Sequence, residues 1–209
     1  IEREIIEQQL FPLMENYTGS EPEKFVFWWL WRCLPVAVAK SVGENIALLP
    51  AETRIPDSSV WSHNSLVAAI ASSLIGKQEE EKSIPYLAVF TLTPVQELIK
   101  ASRKMRDFWS GSWLLHYLSA KISWRLAEIY GADSLIYPCL YAQPLIDHWL
   151  LQKHPELNQW IDQPTDRSLL TAGFPNVLVL LLPKDSVKAA MQTAKQIVKE
   201  EWRDLGKKH

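Results

Sequence analysis

Few side chains in this sequence have both the type and the spacing to do chemistry, and most of them fall between positions 93 and 112. The segment Thr91-Leu92-Thr93-Pro94-Val95-Gln96 joins an apolar, β-rich run to a helical one. A strand that turns directly into a helix presents unpaired backbone N–H groups and the positive helix end, so Thr93 and Gln96 are candidates for holding an anion such as a phosphate. No Gly-rich loop and no P-loop lysine accompanies the turn, and any strand–helix turn shares its geometry. The next candidate is Trp109-Ser110-Gly111-Ser112-Trp113. Glycine in a helix interior costs about 1 kcal/mol relative to alanine, so Gly111 needs a reason. Close packing on a strand and close approach of a planar base both supply one, and the spacing leaves both open. Ser112 follows it with a hydroxyl that can donate and accept. Lys100, Arg103, Lys104 and Arg106 precede the pair, with Asp107 beside them. Such a run is ordinarily a solvated helix face; the functional alternative is contact with phosphates or with a partner's acidic edge.

The missing groups are equally informative. His63, His116, His148 and His154 are scattered, and neither HExxH nor a His-Asp doublet occurs. Glu52 and Asp57 flank a Pro-bounded segment, and no carboxylate ends the apolar run Ile84–Leu92. Two-metal nucleotidyl transfer needs carboxylates that hold both ions. The sequence therefore predicts no metal site and no complete catalytic site, so the chain by itself is expected to be inactive.

The elements that must position these groups follow from periodicity. Residues 1–82 read as helical: Ile5, Ile6, Leu10 and Leu13 recur at helical spacing, Phe25–Trp31 fits a deeply buried helix, and Ser59–Leu74 is a further helix. Leu48–Asp57, bracketed by Pro50 and Pro56, reads as a loop. Lys77-Gln78-Glu79-Glu80-Glu81-Lys82 reads as a solvated linker and the domain boundary. Beyond it, Ile84–Leu92 fits a strand buried on both faces. A helix capped by Thr93, with Pro94 at N1 and Gln96 at N3, runs to Trp109, meets Gly111 and resumes to about Tyr130. Ser134–Tyr141 is β-rich, 144–174 is an excursion of short helices, Asn176–Leu182 is a buried strand, and Asp185 caps a last helix. The expectation is an α/β (α+β) chain: a helical segment 1–82, then a ferredoxin-like domain 83–209 with strand, helix, strand, strand, helix and its last strand missing. That gap, together with a first residue other than Met, reads as a piece of a longer chain.

Composition sets the outer limits. With 47% hydrophobic and 22% charged residues the chain can bury a proper core. A net charge of −2 supplies no global field toward nucleic acid or an anionic membrane, so any such contact is local. Ten tryptophans are a surplus that suits interfaces as well as core. Cys33 and Cys139 read as two separate buried thiols in a reducing compartment, which excludes a zinc ribbon and a disulfide scaffold. No signal peptide is visible at Ile1-Glu2-Arg3-Glu4, and Arg32 interrupts the longest apolar run before it can span a membrane. The expected location is cytoplasmic.

Three spaced segments carry a family resemblance. Leu49–Asp57, reading LPAETRIPD and followed by Val60-Trp61-Ser62-His63, is the first. Thr93-Pro94-Val95-Gln96 with Arg103-Lys104, Arg106-Asp107, Trp109 and Gly111-Ser112 is the second. Pro175-Asn176 with Glu201-Trp202 is the third. Together they resemble the large signature subunit of the type III-B CRISPR (Cmr) effector complex, across roughly residues 25 to 205. Ser62 and Asn64 depart from the family pattern, and its HD doublet and Gly-Gly-Asp-Asp motif are absent. The resemblance implies that 1–82 belongs to an HD-like region and 83–209 to the first of two palm domains. It implies that the intact protein uses ATP and divalent metal to make cyclic oligoadenylate when target RNA is bound, in antiviral defence. This palm would supply a half-site without metal ligands, with Ser112 reaching an adenine and the Thr93–Gln96 turn near the phosphates. The implied partners are other Cmr subunits, ATP and, indirectly, guide and target RNA, with no membrane. The alternative is a purely structural interaction domain that binds no nucleotide.

Overall fold

The computed structural model describes residues 1–52, 55–75, 84–93 and 95–207. The expected linker Lys77–Lys82 with its domain boundary, Pro94 at N1, and Thr53-Arg54 lie outside the described residues. In chain order the elements are α1 (Glu2–Ile5), α2 (Phe11–Glu15), α3 (Pro22–Trp28), α4 (Leu34–Val42), β1 (Pro50–Glu52), β2 (Ile55–Ser59) and α5 (Val60–Leu74). They continue with β3 (Pro85–Thr91), α6 (Val95–Lys100), α7 (Met105–Tyr130), β4 (Leu135–Tyr137), α8 (Pro144–Lys153), α9 (Asp166–Leu169), β5 (Val177–Pro183) and α10 (Lys184–Lys207). The class is α+β, as expected.

The chain forms two compact units, 1–68 with 147–163, and 69–146 with 164–209. This division differs from the linear boundary read at position 82. The reason lies in the excursion, part of which packs into the first unit. Trp160 meets Trp29 edge-on at 5.6 Å between ring centroids, and His154 does the same with Phe25 at 5.3 Å. The apolar run Phe25–Trp31 has Phe25, Trp28 and Trp29 fully buried, as its composition requires. It is part of a longer helical stretch, Pro22–Val42, which at 21 residues, with an 18-residue window of mean hydropathy 1.3, is long and apolar enough to cross a membrane. Arg32 does not interrupt this stretch. Its charge is neutralised in the unit's interior by Asp147, with Nε to Oδ1 and Nη2 to Oδ2 both at 2.8 Å. Leu48–Asp57 is not a loop: β1 and β2 pair as an antiparallel hairpin, Pro50 opposite Ser59 and Glu52 opposite Ile55. Two prolines are compatible with strands that, among the described residues, pair only with each other. The cysteines differ from each other, Cys33 being buried with its thiol pushed up to about 12 by burial, and Cys139 exposed.

The second unit is built on an antiparallel sheet of order β3-β5-β4. Tyr86 opposes Leu182, Ala88 opposes Leu180 and Phe90 opposes Leu178, while Leu135 pairs with Leu180 from the other side. This is the order of three strands of the split β-α-β-β-α-β unit, with α7 between the first two and α10 after the third. α7 and α10 pack on one another and against β5. Ala190, Ala194 and Ile197 of α10 and Leu118, Ile122 and Leu126 of α7 are buried, a helical spacing that puts one apolar stripe on each. β3 is not buried on both faces: Ala88 and Phe90 point to the core, whereas Leu87 and Val89 are 65% and 59% exposed. An edge strand covered by helices on one side only has this alternation; the continuous apolar run had concealed it. The helix break also lies elsewhere. α6 ends at Lys100, and α7 begins at Met105 and runs unbroken through Gly111. Asp107 accepts at 3.2 Å from the Lys104 N–H and so closes the α7 start. Asp185 sits in the first turn of α10, which begins one residue earlier.

Candidate functional site

A cavity of about 390 Å³ opens beside the end of this sheet. Ser112, Leu115 and His116 of α7 line it, facing Tyr137 and Pro138 at the end of β4 and Phe174, Pro175 and Asn176 leading into β5. The one-turn spacing of Ser112 and His116 puts both on the same helix face. The entry to β5 is held in place by a short extension of the ladder: Leu92 N–H donates to Asn176 O at 2.8 Å, and Asn176 Nδ2 donates to Leu92 O at 3.4 Å.

His116 is 5% exposed and locked in orientation. Its Nδ1 accepts from the Gly173 and Phe174 backbone N–H groups at 3.0 and 2.8 Å, and its ring lies 5.6 Å from that of Phe174. Burial lowers its pKa, because charging a desolvated imidazole is costly. One turn around the helix, Trp113 donates to Leu169 O at 3.2 Å and stacks on Tyr117 at 5.3 Å between centroids. Tyr117 in turn donates to Glu201 Oε2 of α10 at 3.2 Å. Burial first, and the Glu201 carboxylate second, push the Tyr117 hydroxyl up to about 12. These contacts hold the cavity-bearing stretch of α7 to α9 and α10.

Of the residues singled out in the sequence, Ser112 lines the cavity and Gly111 sits beside it in the continuous helix. Since α7 has no break at Gly111, the argument from an interruption does not apply; Ser112 is positioned by an ordinary helix. Val95 lines the cavity, whereas Thr93 and Gln96 on either side of it are exposed and do not. α6 is a six-residue helix, so its end carries little of the dipole that makes a longer helix an anion site. Lys100, Arg103 and Lys104 line a separate shallow groove of about 410 Å³ with Met105 and Phe108, and Arg106 is exposed outside it. Sequence reasoning named His116 only among scattered histidines and Asn176 only in a family motif, and assigned neither to the site. His116 was legible only as the residue four positions after Ser112; the contact with Gly173 depends on the fold. Among the described residues no three His, Cys, Asp or Glu side chains come together to hold a metal ion. The polar side chains that line the cavity are Ser112, His116 and Asn176, set between the apolar walls of Leu115, Tyr137 and Phe174.

Comparison with known proteins places this fold. A family model described as "CRISPR-associated protein Cmr2, N-terminal" matches residues 87–207. The chain is 24% identical over 94% of its length to the CRISPR system Cmr subunit Cmr2 of Pyrococcus furiosus. It is 30% identical over 50% of its length to the CRISPR system CMR subunit Cmr2 of Saccharolobus solfataricus. It spans 22% and 10% of those two relatives. Among solved structures it is similar to a chain of the type III-B Cmr-beta complex bound to cognate target RNA, with TM-score 0.73 and 20% identity over 99% of this chain and 23% of that one. The apo state of type III-B Cmr-beta gives TM-score 0.69 and 21% identity over 92% and 21%. At these identities the structural likeness speaks for the fold, and the family model speaks for descent. Because that match takes in more than half of the sequence, and all three strands and both long helices of the second unit fall largely within it, the chain belongs to the family of the Cmr2 N-terminal region.

Proposed function

We propose that this chain is part of the large subunit of a cytoplasmic, RNA-guided type III-B CRISPR effector, and that its second unit holds the base of an ATP in the Ser112–His116 cavity. The relatives are named as Cmr subunits, and one similar structure is a Cmr complex on target RNA. In this reading the cavity is a half-site: it binds and orients a nucleotide whose chemistry, cyclic oligoadenylate synthesis with divalent metal, is completed by carboxylates elsewhere in the intact protein. The observation that carries it is the cavity lining. Ser112, His116 and Asn176 are uncharged hydrogen-bonding groups, and Leu115, Tyr137 and Phe174 supply apolar and aromatic walls. That composition suits a nucleobase and leaves the charged phosphates outside.

A second reading, a structural interaction domain without nucleotide, draws on the exposed apolar side chains Leu87 and Val89 of β3. Both readings include docking of neighbouring subunits. They separate in an ATP titration of the full-length protein against its Ser112→Ala variant. Loss of one net hydrogen bond, about 0.5–1.5 kcal/mol, weakens ATP use several-fold and raises guanine nucleotides relative to ATP, with assembly intact. Equal kinetics in the assembled wild-type and variant complexes make Ser112 a packing residue and favour the structural reading.

A further inference from the structure

The start of α7 carries charges that work against its own stability. A 26-residue helix has a positive N-terminal end, where carboxylates stabilise and cations do not. Yet Lys104 is its N-cap, Arg106 lies in its first turn, and Arg103 comes immediately before it, with Asp107 as the one acidic residue of that turn. Asp107 is engaged at the helix start, accepting from the Lys104 N–H at 3.2 Å. Among the described residues, none of Lys100, Arg103 and Lys104 forms an ion pair with a carboxylate.

These cations are grouped around an apolar floor. Lys100, Ser102, Arg103 and Lys104 line a groove of about 410 Å³ together with Met105 and Phe108, and no acidic residue is among them. Met105 is 82% exposed and Phe108 46%. One turn apart, they share a face of α7, and Trp109, 48% exposed, extends it. Met, Phe and Trp uncovered together within one turn mark an interaction surface, whereas single exposed apolar residues do not. The occupant must match both features. A nucleic-acid strand is tracked by cations that reach successive phosphates, whereas these three surround one concavity in a chain of net charge −2. A free inorganic anion gains nothing from the apolar floor. A flexible thioether beside an aromatic ring suits an aliphatic or aromatic side chain, and a guanidinium matches a carboxylate with two parallel N–H bonds. Resting on the assembly reading above, we propose that the start of α7 docks an acidic polypeptide segment of a neighbouring protein. Its apolar anchor sits on Met105 and Phe108, and its carboxylates meet Lys100, Arg103 and Lys104.

The test uses the full-length protein assembled with its neighbouring subunits. Photoreactive p-benzoylphenylalanine placed at Met105 is expected to crosslink to a polypeptide stretch with several carboxylates around an apolar residue, located by mass spectrometry. Arg103→Ala with Lys104→Ala should slow association with that subunit about tenfold at low salt, and the deficit should close as salt rises. Phe108→Ala should weaken affinity about tenfold at every salt concentration, as loss of a central apolar anchor does. Arg103→Glu should lose binding, and lysine in place of the crosslinked carboxylate should regain part of it. Thermal unfolding separates docking from folding, because taking cations off a helix N-terminus stabilises α7 while docking is lost. Crosslinks to RNA, crosslinks to nothing, or wild-type association in Arg103→Ala with Lys104→Ala would overturn the docking site while the assembly reading stands. If the full-length protein forms no complex with other subunits, both fall together.

Discussion

Arg32 and Asp147, far apart in sequence, meet through two parallel hydrogen bonds of 2.8 Å inside the first unit, where both side chains are almost fully buried. Arg32 lies in the π-helical turn Trp29–Cys33, and Asp147 in the first turn of α8. The pair is one reason that residues 147–163 belong with the N-terminal helices. Breaking a buried ion pair from one side strands a charge and typically costs about 3–5 kcal/mol, whereas replacing both partners by apolar groups is often near neutral. Asp147→Ala should therefore loosen α8 strongly in the full-length protein, and Arg32→Met with Asp147→Leu should restore most of the loss. Hydrogen exchange across 147–163 measures it. Equal protection in Asp147→Ala and wild type would mean that the pair contributes nothing to holding this segment.

The basic cluster makes a different prediction. Lys100, Arg103, Lys104 and Arg106 are exposed on and before the start of α7, and the chain's net charge is −2. Each phosphate contact contributes about 0.7–0.9 to the logarithmic salt slope of nucleic-acid binding, so a few isolated cations give weak, shallow binding. Arg103→Ala with Arg106→Ala is expected to change RNA affinity of the full-length protein by no more than about twofold, and to weaken co-purification with neighbouring subunits more. A tenfold loss of RNA affinity with a clearly reduced salt slope would reverse that ranking.

Tyr117 links α7 to α10 through Glu201, and its hydroxyl is raised to about 12. A tyrosine whose folded pKa lies above its unfolded value near 10 binds its proton more tightly in the folded state. Its contribution is then fully present below pH 10 and is lost as pH rises through about 12. The Tyr117→Phe variant should be less stable near neutrality by about 1 kcal/mol, the net worth of one such bond. Its deficit against the wild type should shrink between pH 10 and 12. Denaturation midpoints across that range check the sign: a deficit that is constant or grows with pH contradicts it.

What the sequence determined by itself is local and periodic. The apolar run from Ile84, the run from Asn176 and the stripe Ala190, Ala194, Ile197 specify two strands and a helix whichever neighbours they meet, because burial of a repeating face depends on spacing alone. The family resemblance was likewise readable, since three motifs keep their order along the chain, and the match over 87–207 agrees with it. Tertiary structure decided the rest. Whether β3 was buried on one face or two depended on which faces of the sheet the helices cover, and a continuous apolar run is compatible with either. The helix break was read at Gly111 from propensity, but the cost of one glycine is small beside the packing of Leu118, Ile122 and Leu126, so α7 runs through it. His116 entered the cavity only because its Nδ1 met the Gly173–Phe174 turn, a contact between residues 57 and 58 positions apart. No local pattern encodes such a meeting, because a hydrogen bond across that distance exists only after the sheet and its two helices have closed around it.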